Sequence, residues 1–477
     1  MTLISARSLG LLLEAWRDDA AGPAYAALAD RIRLLILDGR IPLGTRIPAE
    51  RDLAAQLGVS RTTVTTAYGE LRRAGYLRSI RGSGSVARLP HPMASSGEEG
   101  QQQGLLDLSK AALPAIPVLA AAVARAAEEL PAYLGGTGFD PIGIPLLREA
   151  IAARHAERGL PTEPEEIMVT IGAQHAIALL ARTLLSRGDR ALVESPSYPH
   201  AMEALRNAGA RLVGVNVSSE DGWDEAGLEQ VMQRTSPTLG YLMPDFHNPT
   251  GRTMSDALRE RVVDLAAAAG TTLIIDETIT ELAIDDVPVH PPFAVHGSSG
   301  SRPILIGSVG KTVWGGVRVG WIRAERSLIQ RLVRNRNAGD LGTPILEQIV
   351  VARLLEEYDA ILETRRVQLR VGRDHLRAAL AERIPEWQVP RVAGGLTTWV
   401  GLGSPVSSQL TLAARNEGLL LAAGPRFGID GAFERFLRIP FSYSVDELDR
   451  AVDALARAWQ TVGRYAVPET GYLAAVV

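Results

Sequence analysis

The stretch Leu-Pro-His-Pro-Met-Ala-Ser-Ser-Gly-Glu-Glu-Gly-Gln-Gln-Gln-Gly-Leu-Leu, residues 89–106, constrains this chain more than any other feature. It is polar and small, holds two prolines and has no hydrophobic period, so it cannot bury a core of its own. As a flexible coil, a tether of roughly 18 residues spans about 20–25 Å. The segments on either side must then fold around separate cores. The full length of 477 residues leads to the same division, because it exceeds what one core accommodates. A helix-rich domain is expected over 20–88 and an α/β domain over 107–465.

Charge is distributed unevenly across that division. The net charge is −4. Residues 20–90 hold eleven Arg, no Lys and five acidic residues, a net +6, which leaves −10 on the remainder. A small basic module on a large acidic body suggests a polyanion-binding unit joined to something else. Apolar residues at 46% and charged residues at 22% are ordinary for a globular protein. The absence of cysteine excludes a disulfide framework, a thiolate zinc site and a thiol nucleophile together. Met1–Leu13 lacks a basic start and a cleavage site, and no run of about 18 apolar residues occurs, so the expected location is the cytoplasm, without a membrane span.

In the first module, Leu28, Ile32, Leu35 and Ile36 recur on one helical face over 25–38. Pro48-Ala-Glu-Arg-Asp opens a second helix, with Leu53, Ala54 and Leu57 facing inward. Gly58 breaks it, and Ser60 caps a third helix from Arg61 to about Ala74, with Val64, Ala67 and Leu71 as its buried stripe. The first turn of that helix exposes Arg61, Thr62 and Thr63, the positions that enter the major groove in a helix-turn-helix. Tyr76–Ala87 then reads as two short strands around Gly82-Ser-Gly84, flanked by Arg78 and Arg81, a wing suited to a phosphate backbone.

The segment Ile41-Pro-Leu-Gly-Thr-Arg-Ile-Pro-Ala-Glu-Arg-Asp-Leu-Ala-Ala-Gln-Leu-Gly-Val-Ser-Arg-Thr-Thr-Val strongly resembles the winged helix-turn-helix of the GntR family. The resemblance implies contact with double-stranded operator DNA through Arg51, Arg61, Thr62 and the wing glycines. With the helix start and wing, the DNA-facing candidates are Arg51, Ser60, Arg61, Thr62, Thr63, Arg78, Arg81, Gly82 and Gly84. Thr65 stands where many members carry Arg. The competing reading of these residues is a helical protein-interaction domain.

After the tether, helical patterns alternate with β-rich runs at 166–170, 190–194, 238–243 and 272–276, the pattern of a mostly parallel sheet. Five loops there carry chemistry. Lys311 lies in a Gly-rich loop after the apolar run Pro303–Ile306, where small neighbours admit a bulky cofactor and an amine can form an imine. Ser308 and Arg318 flank it as phosphate ligands. A Walker-type loop fails on spacing, because Leu305 stands where its first glycine belongs. Asp276 ends a buried strand, where open α/β sheets place ligand-binding groups, and a carboxylate there suits a protonated pyridine nitrogen. Asn248, in Asn-Pro-Thr-Gly, is placed to donate to a ring oxygen, and Tyr198 to stack on a ring. Gly172, Ala173 and Gln174 open a helix whose free N–H groups suit a phosphate. Each loop has a bland alternative, a plain turn or a helix cap; five in sequence order, each after a strand, point to pyridoxal 5′-phosphate.

That order resembles the fold-type I aminotransferases over roughly residues 107–465. The resemblance implies Lys311 as the residue holding pyridoxal 5′-phosphate (an internal aldimine), Asp276 on its ring nitrogen, Asn248 on its ring oxygen, and Tyr198 stacked. It further implies Gly172, Ala173, Gln174, Ser308 and Arg318 on the phosphate, Arg438 on the carboxylate of an amino-compound effector, and a smaller C-terminal α+β subdomain over about 350–465. Three positions depart from the family: Thr278 where Tyr often bonds the ring oxygen, Gly310 where Ser often aids the phosphate, and Phe139 in place of a Tyr offered by a second subunit. These departures bear on turnover more than on binding. A GntR winged helix ahead of an aminotransferase-like domain is similar to the MocR/GabR-type regulators, which implies a homodimer that senses the cofactor or its adduct. The alternatives are an active aminotransferase with an accessory DNA module, or a DNA-bridging protein with an inert cofactor fold.

Overall fold

Leu28, Ile32, Leu35, Ile36, Leu53, Ala54, Val64, Ala67 and Leu71, the stripe positions expected from helical spacing, are all buried together in one core. The computed structural model that contains them describes residues 3–13, 16, 23–37, 40–41, 44–73, 75–80, 84–88, 105–287, 289–297 and 302–462. Arg81, Gly82 and residues 89–104 of the expected tether lie outside the described residues.

Four helices build the first core: α1 (Ala6–Leu13), α2 (Ala24–Leu37), α3 (Glu50–Leu57) and α4 (Arg61–Arg73). Gly58, at φ 65°, ends α3 with its N–H on the Ala54 carbonyl, a left-handed close that glycine adopts without a Cβ clash. Ser60 then caps α4, its Oγ accepting from the Thr63 N–H at 3.1 Å. The strands β1 (Leu77–Ile80) and β2 (Gly84–Ala87) pair antiparallel, Leu77 opposite Ala87 and Ile80 opposite Gly84, and form the wing. Helix α1 precedes the expected domain start at residue 20, yet Leu9 and Leu13 are fully buried in this core. At eight residues it is too short for its period to stand out from a mildly apolar terminus.

The expected tether ends in β3 (Leu106–Asp107), which leads to an eight-stranded sheet: β4 (Ile167–Thr170), β5 (Arg190–Ser195), β6 (Arg211–Ser218), β7 (Gly222–Trp223), β8 (Leu239–Leu242), β9 (Thr272–Asp276), β10 (Ile304–Ser308) and β11 (Gly320–Arg323). Their order is β4-β11-β10-β9-β8-β5-β6-β7. The pairs from β10 through β9, β8 and β5 to β6 are parallel; β11 runs antiparallel to both its neighbours and β7 antiparallel to β6. The mostly parallel sheet expected from the alternating pattern is therefore present. The central strands are buried on both faces, as expected where helices cover a parallel sheet. The parallel register brings Thr170, Ser195, Leu242, Asp276 and Ser308 to one edge, so the loops that follow them converge.

A smaller antiparallel sheet follows. It is built of β12 (Thr397–Gly401), β14 (Ala422–Ala423) and β15 (Phe436–Pro440) in the order β12-β15-β14. The short β13 (Leu419–Leu420) pairs in parallel with β3, so the chain leaving the tether joins this C-terminal part first. Among the described residues no helix is long and apolar enough to cross a membrane.

Helix α1 generates a stability prediction. Leu13→Ala removes a fully buried side chain and should destabilise the N-terminal core by about 2–5 kcal/mol. Denaturant unfolding followed in residues 1–88 alone and in the whole chain measures it. A change below about 0.5 kcal/mol would place α1 outside that core.

Candidate functional site

At the carboxyl edge of the large sheet lies a cavity of about 500 Å³. Its walls include Gly172, Ala173, Gln174, Tyr198, Asn248, Asp276, Ser308, Lys311, Arg318 and Arg438, so every cofactor and effector candidate named from the sequence meets there.

Asp276 is buried at the end of β9. Its Oδ2 accepts the Tyr241 hydroxyl at 2.6 Å and its Oδ1 accepts the Thr278 N–H at 3.0 Å. Burial first, then Asp276, push the Tyr241 hydroxyl well above its ordinary titration range, so it stays a donor. Thr278 thus contributes its backbone N–H to this carboxylate, and its side chain lines the cavity. Tyr198 opens the helix Pro199–Asn207 and stacks on the His200 ring at 5.4 Å between centroids and 11° between planes.

Lys311 donates from Nζ to the Ala111 carbonyl at 2.5 Å. Burial pushes its pKa down to about 8; Arg438 adds to the fall and Asp276 opposes it. Arg438 is 6% exposed and donates to the Ser109 carbonyl, with its guanidinium 4.9 Å over the Phe427 ring. Burial lowers its pKa to about 10, still far above neutrality, so it remains cationic.

The helix Ala173–Leu184 starts at Gly172, whose φ of 78° is left-handed. A Cβ on Gly172 would stand 3.2 Å from Arg318 Nη2, and one on Gly320 would stand 2.8 Å from the Gly172 carbonyl carbon. Close backbone approach therefore requires glycine at 320, and the positive φ favours it at 172. Arg318 itself takes a left-handed φ of 55° and donates to the Ile171 carbonyl at 3.1 Å. A non-glycine residue held this way costs of order 1–3 kcal/mol, and such strain gathers at functional sites. Ser308 lines the cavity but commits its proton to the Val319 carbonyl at 3.0 Å, while accepting the Gly310 N–H at 3.1 Å. Gly310 thus uses its backbone N–H to brace the lysine loop. Phe139 is 68% exposed and lies outside the cavity lining.

Three buried polar atoms in this region have no partner among the described residues: Asn248 Oδ1, Gln174 Oε1 and Arg438 Nε. Buried polar groups are normally satisfied, and an unsatisfied one costs about 1–3 kcal/mol. The two amide oxygens need donors and the guanidinium Nε needs an acceptor, and of the three the Arg438 Nε is the one that an anionic ligand group would satisfy.

Several functional side chains were not legible in the sequence. Tyr241 sits inside a strand and reads as core. Residues 109–112 line the cavity although they only follow the tether. Arg426 lines it too, from the turn Gly424–Phe427 after β14, and the rule that found the other loops, a polar residue just past a strand, would have found this one.

In the N-terminal module a groove of about 420 Å³ lies between the helix starts and the wing, lined by Arg46, Arg51, Arg61, Arg72 and Gly84 among others. Arg51, Ser60, Arg61, Thr62, Arg78 and Gly84 are exposed, and Thr63 is half-buried with its Oγ1 2.8 Å from Ser60 Oγ. Arg46 and Arg72 were not singled out from the sequence. Arg72 donates to Glu50 Oε1 at 3.2 Å and to the hydroxyls of Ser79 and Ser85 at 3.4 Å each, tying α4 to α3 and the wing. Thr65 donates to Glu50 Oε2 at 3.0 Å, so it braces the same joint.

Comparison with known proteins gives this geometry its context. The family described as bacterial regulatory proteins, gntR family, matches residues 24–86, and aminotransferase class I and II matches residues 112–455. The probable rhizopine catabolism regulatory protein MocR of Rhizobium meliloti is 30% identical over 77% of this chain and 79% of its own length. The chain belongs to the MocR-type regulators. A second such regulator, the HTH-type transcriptional regulator TauR of Rhodobacter capsulatus, is 29% identical over 85% of this chain and 90% of its own. Among solved structures, LysN, an α-aminoadipate aminotransferase from Thermus thermophilus complexed with N-(5′-phosphopyridoxyl)-L-leucine, superposes with a TM-score of 0.69 at 29% identity, over 76% of this chain and 94% of LysN. This MocR-type protein is therefore a DNA-binding transcriptional regulator whose larger domain has the aminotransferase fold, a fold that implies dependence on pyridoxal 5′-phosphate.

The Lys311 environment yields a pH prediction. A pKa near 8 leaves about a tenth of the amines neutral at pH 7, against roughly one in three thousand for a solvated lysine at 10.5. Reaction of Lys311 with a small aldehyde should accelerate about tenfold per pH unit up to about pH 8 and then level off. Because Arg438 lowers this pKa, Arg438→Gln should move the midpoint upward. A profile that keeps rising through pH 10 would put the amine in water.

Proposed function

We propose that this regulator holds pyridoxal 5′-phosphate at Lys311 and controls transcription by sensing the loaded cofactor or an amino compound bound beside it. The single observation that carries this reading is the meeting of a depressed amine, a buried carboxylate and an enclosed guanidinium in one cavity.

When bound, the cofactor supplies an aldehyde carbon that accepts amines. The chain's own residues do the rest. Lys311 offers a neutral nitrogen for attachment. Asp276, oriented by Tyr241 and the Thr278 N–H, holds a positive charge on the cofactor ring nitrogen. Asn248 donates from its carboxamide nitrogen to the ring oxygen, and Tyr198 covers one ring face. The N–H groups opening the helix after Gly172, with Arg318, Gln174 and Ser308, hold the phosphate; for Ser308 this requires its proton to leave the Val319 carbonyl. Arg438, cationic and enclosed, holds the carboxylate of the effector.

On the DNA side, Arg51, Arg61, Thr62, Thr63 and Ser60 face the major groove, and Arg78 and Gly84 face the phosphates; Arg81 and Gly82, assigned to the phosphates from the sequence, lie outside the described residues. In this reading the working unit is a homodimer acting on operator DNA in the cytoplasm. A ligand shifts such a regulator only by binding one arrangement better than the other.

Two experiments test the reading. The purified protein should show a cofactor absorbance band that Lys311→Ala abolishes, and its absence in the parent protein would end the cofactor assignment. Arg61→Ala should weaken operator binding by about 1–3 kcal/mol if the side chain reads a base. An equal loss on every DNA sequence would assign Arg61 to a phosphate.

A further inference from the structure

The cavity at the carboxyl edge of the large sheet is unbalanced in charge. Among the described residues of its wall, Lys110, Lys311, Arg318, Arg426 and Arg438 stand against a single carboxylate, Asp276. All but one of these cations have partners. Lys110 pairs with Asp107 Oδ2 at 3.1 Å. Lys311 donates to the Ala111 carbonyl, Arg318 to the Ile171 carbonyl and Arg438 to the Ser109 carbonyl, and the proposed function gives each of these three a ligand group of its own. Arg426 has no hydrogen bond or ion pair among the described residues, and it is exposed.

The backbone that presents Arg426 is nevertheless fixed. Arg426 belongs to the turn Gly424–Phe427. The Gly424 N–H donates to Ser407 Oγ at 2.9 Å, and the Phe427 carbonyl accepts the Ser197 N–H at 2.8 Å, one residue before Tyr198. A Cβ on Gly424 would collide with the carbonyl oxygens of Phe433 and Phe436, so only glycine lets the turn sit this close. The Phe427 ring packs edge-on against Trp399 at 5.4 Å between centroids and lies 4.9 Å beneath the Arg438 guanidinium. One turn therefore carries the platform under the effector arginine and, at the neighbouring position, a second guanidinium. Burial lowers the Arg438 pKa first; Tyr198 and Tyr443 oppose the fall and the charge of Arg426 adds to it, which sets the two arginines at the same end of the cavity.

Two like charges at one end repel, and an anion for each relieves that repulsion. A ligand with one carboxylate serves Arg438 and leaves Arg426 unbalanced. A ligand with a second carboxylate serves both. The amide of the same shape fills the same space and brings no charge.

We propose that Arg426 selects the effector, an amino acid with a second carboxylate on its side chain: Arg438 holds the α-carboxylate and Arg426 the distal one. This rests on the cofactor reading above and deepens it by naming the class of amino compound. Because solvent reaches Arg426, the selection is modest in size and weakens with salt.

Calorimetric titration of the full-length protein, freed of cofactor, tests this. The probes are the N-(5′-phosphopyridoxyl) adducts of L-aspartate, L-asparagine, L-glutamate and L-glutamine, which bind without forming a bond to Lys311. In at least one acid–amide pair the acid adduct should bind about fivefold more tightly at low salt, the factor supplied by an exposed ion pair at the top of its ordinary range. Salt at about 1 M should shrink that preference. Arg426→Gln should remove it by weakening the acid adduct alone, and Arg426→Lys should keep part of it. Pyridoxamine 5′-phosphate, which has no carboxylate, reports on the cofactor end by itself.

Equal binding of acid and amide in both pairs would overturn the selection and leave the cofactor reading standing. So would an acid preference that survives in Arg426→Gln, because another group would then hold the distal carboxylate. A loss in Arg426→Gln that is equal for pyridoxamine 5′-phosphate and the acid adducts would also overturn it, and would assign Arg426 to the cofactor phosphate. Failure of pyridoxamine 5′-phosphate and of every adduct to bind would overturn the cofactor reading, and the selection with it.

Discussion

A carboxylate buried at the end of a strand, with hydrogen bonds but no ion pair among the described residues, sets the terms for the larger domain. Removing such a charge from water costs several kcal/mol unless donors or a cation compensate it. Asp276 has donors in Tyr241 and the Thr278 N–H, which keep it in place. Its charge in turn raises the Tyr198 hydroxyl pKa, after burial, and partly opposes the fall in the Lys311 pKa. The cavity is thus an enclosure in which one anion and several cations are held apart by the fold. A zwitterionic ligand with its own phosphate is the kind of molecule that balances such a set, and that balance underlies the function proposed here.

Holding the groups apart requires rigid loops, and buried polar networks beneath the cavity provide them. Glu194 accepts from Met243 N–H and Trp223 Nε1, both at 2.9 Å, and lies 3.2 Å from His247 Nε2, which fixes the turn that carries Asn248. Asp245 pairs with the fully buried Arg259 at 2.5 Å and accepts from Thr280 at 3.1 Å, linking that turn to the loop after Asp276. Arg336 donates to the Val169 carbonyl at 2.7 Å under the phosphate-side loop, while His175 Nδ1 accepts from Ile171 N–H at 3.1 Å. Burial pushes the His175 pKa down to about 4, so its ring stays neutral and able to accept. Of these residues Met243 reaches the cavity; the charged and imidazole groups lie outside its lining and position the groups that form it.

The N-terminal module follows the same logic on a smaller scale. Glu50 gathers Arg72 and Thr65, and Arg72 reaches the wing hydroxyls, so helix and wing present one surface. Thr65, in a place where many relatives of the winged-helix family carry arginine, is committed to that joint. Base reading is left to the first turn of α4, where Arg61 and Thr62 are exposed.

The sequence by itself determined the two cores, the helical stripes, the parallel sheet and the set of loops that carry Lys311, Asp276, Asn248, Tyr198 and Gly172. These are local signals, because apolar spacing, capping residues and glycine turns act over a few residues. It also determined the family, through motifs carried by contiguous residues. Only the tertiary structure decided that Tyr241 serves Asp276, that Arg426 joins the cavity wall, that α1 belongs to the first core, and that the chain just past the tether lies across Lys311 and Arg438. Those facts depend on pairs as far apart as Ser109 and Arg438, or Ala111 and Lys311. No local pattern encodes such pairs, because the packing of the sheet edge against the C-terminal part brings them together.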